Sequence, residues 1–203
     1  MKIFKYPFGP IDANCYVIET EAGNIMIDPC VSLDVLPESS KPFLAIIVTH
    51  CHYDHVSNIE KIRDMAKAPV YCHPLEFPSF KDPVRNGSAF FMNEETYSIP
   101  DKEINDNDIL EIDNTVCLKF LHTPGHTLGS ICIILSVNRK DIAIFTGDTL
   151  FKCSAGRTDL GGNPVSLEKS LARLKKLDDS ITVYSGHGPD STIGYEKRNN
   201  PFM

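Results

Sequence analysis

The chain has 203 residues, 42% of them hydrophobic and 23% charged, with a formal net charge of -7 at pH 7. This describes an ordinary folded protein, read as a single domain over residues 1–203 with a substantial core. An acidic chain with no basic block is a poor match for nucleic acid, and no run approaches the ~20 apolar residues of a membrane span.

The N-terminal apolar stretch is too short for a secretory signal and reads as a strand that starts at once. There are seven cysteines, an odd number with no C-x-x-C spacing, and several lie inside apolar strands. This argues against a disulfide framework and fits a reducing, cytoplasmic location. Most read as small buried hydrophobes. Cys30, Cys51 and Cys153 lie on segments that could approach a metal.

In chain order, residues 2–7 and 15–20 read as strands, 21–24 as a turn and 25–27 as a third strand, ending in Asp28-Pro29-Cys30. Asp28 is either an acid opening a turn or a group that orients a metal-bound histidine. Residues 44–48 are a buried strand. Residues 57–67 have helical spacing, with a capping box at Ser57 and Glu60 and an apolar face of Ile59, Ile62 and Met65 or Ala66. Residues 69–72 form a short strand ending at His73, which reads as a rim or structural residue. Residues 76–108 lack clear periodicity and resemble a binding loop or lid. Acidic residues 101–113 read as a solvated hairpin edge. Strands follow at 115–122, 130–137 and 142–146, then a helix at 166–177 lined by Leu167, Leu171, Leu174 and Leu177, and a strand at 181–184. The tail from 195 to 203 reads as polar.

The strand at 44–48 leads into Thr49-His-Cys-His-Tyr-Asp-His55, so three of the seven histidines fall within six positions. Neutral imidazole and carboxylate are ligands that zinc, iron and manganese accept. Further along, His126, Asp148 and His187 each follow a glycine at a strand end, and glycine allows the sharp turn that brings such side chains toward a common point. The set His50, His52, Asp54, His55, His126, Asp148 and His187 exceeds one tetrahedral ion and suits two that share a carboxylate.

These motifs, in this order, resemble the metallo-β-lactamase superfamily, and within it the glyoxalase II-like (hydroxyacylglutathione hydrolase-like) hydrolases. Thr123-Pro-Gly-His-Thr-Leu-Gly-Ser130, Gly147-Asp-Thr-Leu-Phe151, Gly156-Arg-Thr-Asp-Leu160 and Gly186-His-Gly-Pro189 carry the likeness. The resemblance implies an α/β, αββα sandwich of two mixed β-sheets flanked by helices. It implies two divalent metal ions, zinc first, with iron or manganese as alternatives. His50, His52 and His126 would hold one ion, Asp54, His55 and His187 the other, and Asp148 would bridge them. Asp28 would orient ligands from outside the coordination sphere, and Arg157 would bind a substrate carboxylate. His122 falls at a non-ligand position, and Cys30 stands where the family often has glycine.

The implied chemistry is attack of a metal-bridging hydroxide on a thioester or ester, with Asp54 ligating and orienting the nucleophile. Family enzymes carry a further C-terminal helical part that grips glutathione. This sequence stops at Met203, which leaves open a broader thioester or ester substrate beside the hydroxyacylglutathione type. The rival on the same fold is a mononuclear iron persulfide dioxygenase using two histidines and one aspartate. A lactonase and a nuclease rank below it, the nuclease for want of a basic groove. The expected partner is a small-molecule thioester or ester, with neither nucleic acid nor membrane.

Overall fold

A computed structural model describes residues 1–36, 41–91 and 94–203. The irregular segment at 76–108 therefore lies outside the described residues at 92–93. By backbone contacts the chain forms two compact units, Met1–Ile104 and Asn105–Met203. Each carries one of the two mixed sheets.

In the first unit, β1 (Lys2–Tyr6), β2 (Cys15–Glu19) and β3 (Asn24–Ile27) run antiparallel in sequence. Then β4 (Phe43–Ile47), β5 (Val70–Cys72) and β6 (Lys102–Glu103) add in parallel, so sheet order follows chain order. Parallel neighbours need a crossover, and α1 (Tyr53–Val56) and α2 (Ile59–Ala66) supply it between β4 and β5. Ile59 and Ile62 join Ile46, Val48, Val56, Val70, Phe80 and Tyr97 in one core cluster. Of the two candidates for the end of that apolar face, Ala66 packs against the cluster and Met65 is exposed.

Four details differ from the sequence reading. The capping box does not form. The Ser57 hydroxyl donates to the Cys30 carbonyl at 3.1 Å, and the Glu60 carboxylate accepts the Ser98 N–H, so both groups tie α2 to neighbouring segments instead. The helical region begins at Tyr53, which places Asp54 and His55 on the single turn of α1 rather than on a loop. Residues 101–113 are not a hairpin, because β6 pairs with β5 while β7 (Ile109–Glu111) belongs to the other sheet. Ile104, buried within an otherwise acidic stretch, anchors the end of the first unit through its N–H on the Cys72 carbonyl at 3.0 Å. The segment from 76 is also less of a lid than expected. α3 (Phe77–Phe80) carries Phe80 into the core, where Tyr97 joins it.

In the second unit, β7 to β10 form an antiparallel run: β8 (Val116–His122), β9 (Ile131–Val137) and β10 (Lys140–Gly147) follow β7. Asn138 and Arg139, at φ 50° and 64°, form the left-handed two-residue turn that matches strand twist between β9 and β10. β11 (Leu150–Phe151) and β12 (Ser154–Ala155) form a small ribbon. α4 (Pro164–Leu174) starts two residues before the expected helix, because the Asn163 side chain accepts the Ser166 N–H at 2.9 Å and Pro164 fits the first turn. Leu167, Leu171 and Leu174 are buried, and Leu177 packs on them from beyond the helix end.

β13 (Thr182–Ser185) pairs parallel to β10, and β14 (Ser191–Thr192) closes that edge. The polar tail conceals a helix, α5 (Ile193–Asn199), capped by the Thr192 hydroxyl on the Tyr195 N–H. Its Glu196 is buried, yet its carboxylate accepts the Cys153 N–H and an Asn200 N–H, each at 2.8 Å. A buried carboxylate is tolerated when hydrogen bonds replace its hydration. Reading charge as exposure is why this helix went unseen.

Candidate metal centre

In the first unit, β4 delivers the chain into an extended run. The amides of Thr49, Cys51 and Tyr53 are anchored in turn on Asp28 Oδ1 (2.8 Å), Glu76 Oε2 (2.8 Å) and the Asn86 carbonyl (2.6 Å). Alternate residues of an extended chain share a face, which sets His50 and His52 side by side. Their ring centroids are 4.8 Å apart, and those of His50 and His55 are 4.3 Å apart. Atoms of His50 that could bind a metal lie within 4.8 Å of such atoms on His52 and on His55, as do those of Asp54 and His55. His50 and His55 are fully buried, while the Asp54 side chain keeps 13% of its exposure.

Asp28 organises these rings. It sits at φ 54°, a left-handed conformation that aspartate tolerates better than most residues. Its Oδ2 accepts the Thr49 hydroxyl at 2.8 Å and His55 Nδ1–H at 2.9 Å. The Thr49 hydroxyl thus donates its hydrogen bond to Asp28 and accepts from His50 Nδ1 at 3.1 Å. Both rings carry the proton on Nδ1, which leaves the metal-binding lone pair on Nε2. Of the two meanings left open for Asp28, this network fits the orienting one.

Cys30 and Cys51 pack in the core cluster as small hydrophobes. Burial first, then the charges of neighbouring groups, hold both thiols well above their usual range. Cys153 is exposed and bonds the Tyr195 hydroxyl. His73 accepts the Leu75 N–H on Nδ1 and caps a short turn, a structural position.

In the second unit, Asp148 Oδ2 stands 3.6 Å from His126 Nε2 and 3.7 Å from His187 Nε2. His126 Nδ1 lies 2.7 Å from the Arg157 carbonyl, which can only accept, so its proton is on Nδ1 and its lone pair on Nε2. Gly125, at φ 147°, provides the turn before His126, and a Cβ there would fall 2.4 Å from the Leu167 backbone. A Cβ at Gly156 would stand 1.8 Å from the Asp148 carbonyl oxygen and 3.1 Å from His126 Nδ1. Gly156→Ala should therefore lower stability by about 1–3 kcal/mol in denaturant melts, the usual range for overpacking, and displace Asp148 and His126 together. A variant with unaltered stability and metal affinity would show that the close approach has no role. His122 bonds the Leu128 carbonyl at 2.9 Å, in keeping with a structural role. The Arg157 guanidinium is exposed and bonded to Asp159, whose carboxyl it holds down at about 2.

The donor chemistry fits divalent metal. The Nε2 lone pair of His126 faces a carboxylate oxygen at 3.6 Å, and that of His55 faces Asp54 Oδ2 at 3.5 Å. Two acceptors at such distances repel and exceed hydrogen-bond length. Two ligands of one ion, each ~2.1 Å from it, stand roughly 3.3–3.7 Å apart.

A model of the Metallo-beta-lactamase superfamily matches residues 8–187. The crystal structure of BLEG-1 B3 metallo-beta-lactamase is 34% identical, with TM-score 0.89, covering 99% of each chain. That of TTHA1623 in a di-iron-bound form is 32% identical, with TM-score 0.86, covering 98% of this chain and 100% of the other. Hydroxyacylglutathione hydrolase GloC of Haemophilus influenzae is 30% identical, the match covering 100% of this chain and 98% of the relative. The chain belongs to the metallo-beta-lactamase superfamily, and has its fold of two mixed sheets with flanking helices.

Two parts of the two ligand clusters escaped the sequence reading: the Arg157 carbonyl under His126 and Glu76 under Cys51. Thr49 stands at the head of the motif in the sequence, and the structure adds its relay between Asp28 and His50. A backbone carbonyl and an isolated glutamate give no pattern.

Proposed function

We propose that the chain is a dinuclear-metal-dependent hydrolase that cleaves a thioester or ester. The observation that carries the reading is the facing of tautomer-fixed imidazole nitrogens and carboxylate oxygens at 3.5–3.6 Å in each unit. In this reading His50, His52 and His126 hold one ion, Asp54, His55 and His187 hold a second, and Asp148 serves both. Zinc, iron and manganese all suit such donors, and the di-iron form of TTHA1623 supports iron alongside zinc. Bound ions would supply a hydroxide nucleophile at neutral pH and polarise the scissile carbonyl.

The chain's own groups do the rest. Asp54, still reached by solvent, orients the attacking water and accepts its proton. Asp28 keeps His50 and His55 in the ligating tautomer, and the Arg157 carbonyl does so for His126. The Phe151 ring lies edge-on to His187, with centroids 6.1 Å apart. A substrate carboxylate would take the place of Asp159 on the exposed Arg157 guanidinium.

The likeness to GloC supports a hydroxyacylglutathione-type substrate, a small molecule, with no part for nucleic acid. Among the described residues no helix is long and apolar enough to cross a membrane. All seven cysteines are free thiols, which supports placing the protein in a reducing cytoplasm.

Metal-loaded protein should be assayed against S-lactoylglutathione, simple thioesters, esters, a lactone and a cephalosporin. The expected result is the highest kcat/KM on a thioester, followed by thiol release. Higher kcat/KM on the cephalosporin or the lactone, or oxygen uptake with glutathione persulfide without thioester cleavage, would overturn the proposal.

A further inference from the structure

We infer that Glu76 is a positioning residue for the ligand loop: its buried carboxylate fixes the peptide between His50 and Cys51, and thereby the relative placement of His50 and His52. The inference rests on the reading that this loop holds metal. Glu76 lies in the short 3-10 turn Pro74–Glu76 after β5, 25 residues from Cys51, and is only 2% exposed. Its Oε2 accepts the Cys51 N–H at 2.8 Å. A carboxylate loses much hydration on burial, so it is retained where charge-strengthened hydrogen bonds replace that hydration.

The bond acts at a sensitive point. The Cys51 amide belongs to the peptide joining His50 to Cys51. Rotation of that peptide changes ψ of His50 and φ of Cys51, and would swing one imidazole away from the other. His52 is itself extended, at φ -80° and ψ 146°, so the pair keeps to one face only while the intervening peptide holds its orientation. The flanking amides of Thr49 and Tyr53 are held by Asp28 and the Asn86 carbonyl, and Glu76 supplies the middle anchor.

Asp28 and Glu76 thus act at different points. Asp28 holds the Thr49 amide and orients the His55 ring, while Glu76 holds the main chain between His50 and His52. The turn that presents Glu76 is fixed in its own right. The Glu76 N–H donates to the His73 carbonyl at 2.9 Å, and His73 Nδ1 accepts the Leu75 N–H at 3.3 Å.

The test is zinc affinity and stoichiometry by chelator competition, with the absorption spectrum of the cobalt(II)-substituted protein. It compares wild type, Glu76→Gln, Glu76→Leu and Glu76→Asp, each first checked for folding by thermal melting. Gln keeps an oxygen acceptor of the same reach, Leu removes it, and Asp withdraws it by one methylene. Folded Glu76→Leu should bind zinc about 10–100-fold more weakly, the usual effect of losing a group behind the ligands, with an altered cobalt spectrum. Glu76→Gln should stay close to wild type in both readouts. If Glu76→Leu does not fold, Glu76→Asp replaces it and should bind more weakly than Glu76→Gln. Equal affinity and identical spectra in wild type and the folded acceptor-deficient variant would overturn the inference. Wild-type protein that takes up no zinc would overturn the metal reading itself, a separate and distinguishable result.

Discussion

Asp148→Ala is expected to lower kcat/KM for thioester cleavage by about 10³-fold or more while leaving the fold intact, and Asp54→Ala to do nearly the same. Asp148 faces two imidazole nitrogens, His126 at 3.6 Å and His187 at 3.7 Å. On the proposed reading its removal deletes the ligand that serves both ions. Asp54 holds the corresponding place toward His55 at 3.5 Å, and its side chain still reaches solvent. On the proposed reading its loss removes both a ligand and the proton acceptor. Groups that act as a unit give non-additive losses, so the double variant should be little worse than either single one. Steady-state kinetics with metal analysis and circular dichroism on the same samples check this. Turnover at the wild-type rate in either variant would contradict the hydrolase assignment.

The largest stability effect is expected at Asp28. It is 1% exposed and accepts from the Thr49 amide, the Thr49 hydroxyl and His55 Nδ1. Asp28→Ala leaves these donors buried without that acceptor, at about 1–3 kcal/mol for each unmet group, so a total loss of about 3–5 kcal/mol is reasonable. Metal affinity should fall about 10–100-fold. Asp28→Asn separates the two effects, because asparagine also tolerates the left-handed backbone at φ 54°. It keeps one acceptor oxygen, so stability falls less. Its amide N–H₂ now faces His55 Nδ1, favours the opposite tautomer and spoils the ligand, so metal affinity should still fall. Urea melts of metal-free protein beside chelator competition measure both. Equal metal affinity in wild type and Asp28→Asn would contradict the tautomer argument.

What the sequence made legible follows from the kind of signal each element carries. Strands such as Lys2–Tyr6, Val116–His122 and Ile131–Val137 announce themselves through apolar runs bounded by turn residues. The superfamily and its fold were readable from ligand motifs spaced along nearly the whole chain. Elements stabilised by polar contacts were not. The helix Ile193–Asn199 depends on buried Glu196, and the single turn Tyr53–Val56 is too short for any periodicity. The Ser57–Glu60 capping box had the right residues, but both side chains satisfy other backbone groups, since tertiary partners outweigh a local cap. Residues 101–113 looked like one hairpin because acidic composition masks the buried Ile104 at which the chain leaves one sheet for the other. In the ligand clusters, the side chains that contact metal in this account carry a pattern. The groups that hold them in place, the Arg157 carbonyl and Glu76, emerge only from three-dimensional contact.

The most direct test of the central claim is to titrate metal-free protein with zinc, or with ferrous iron under exclusion of air, while following thioester hydrolysis and bound metal. The account predicts that activity is absent without metal and reaches its plateau with two ions per chain. Full activity at one ion per chain, or hydrolysis unaffected by metal removal, would contradict it.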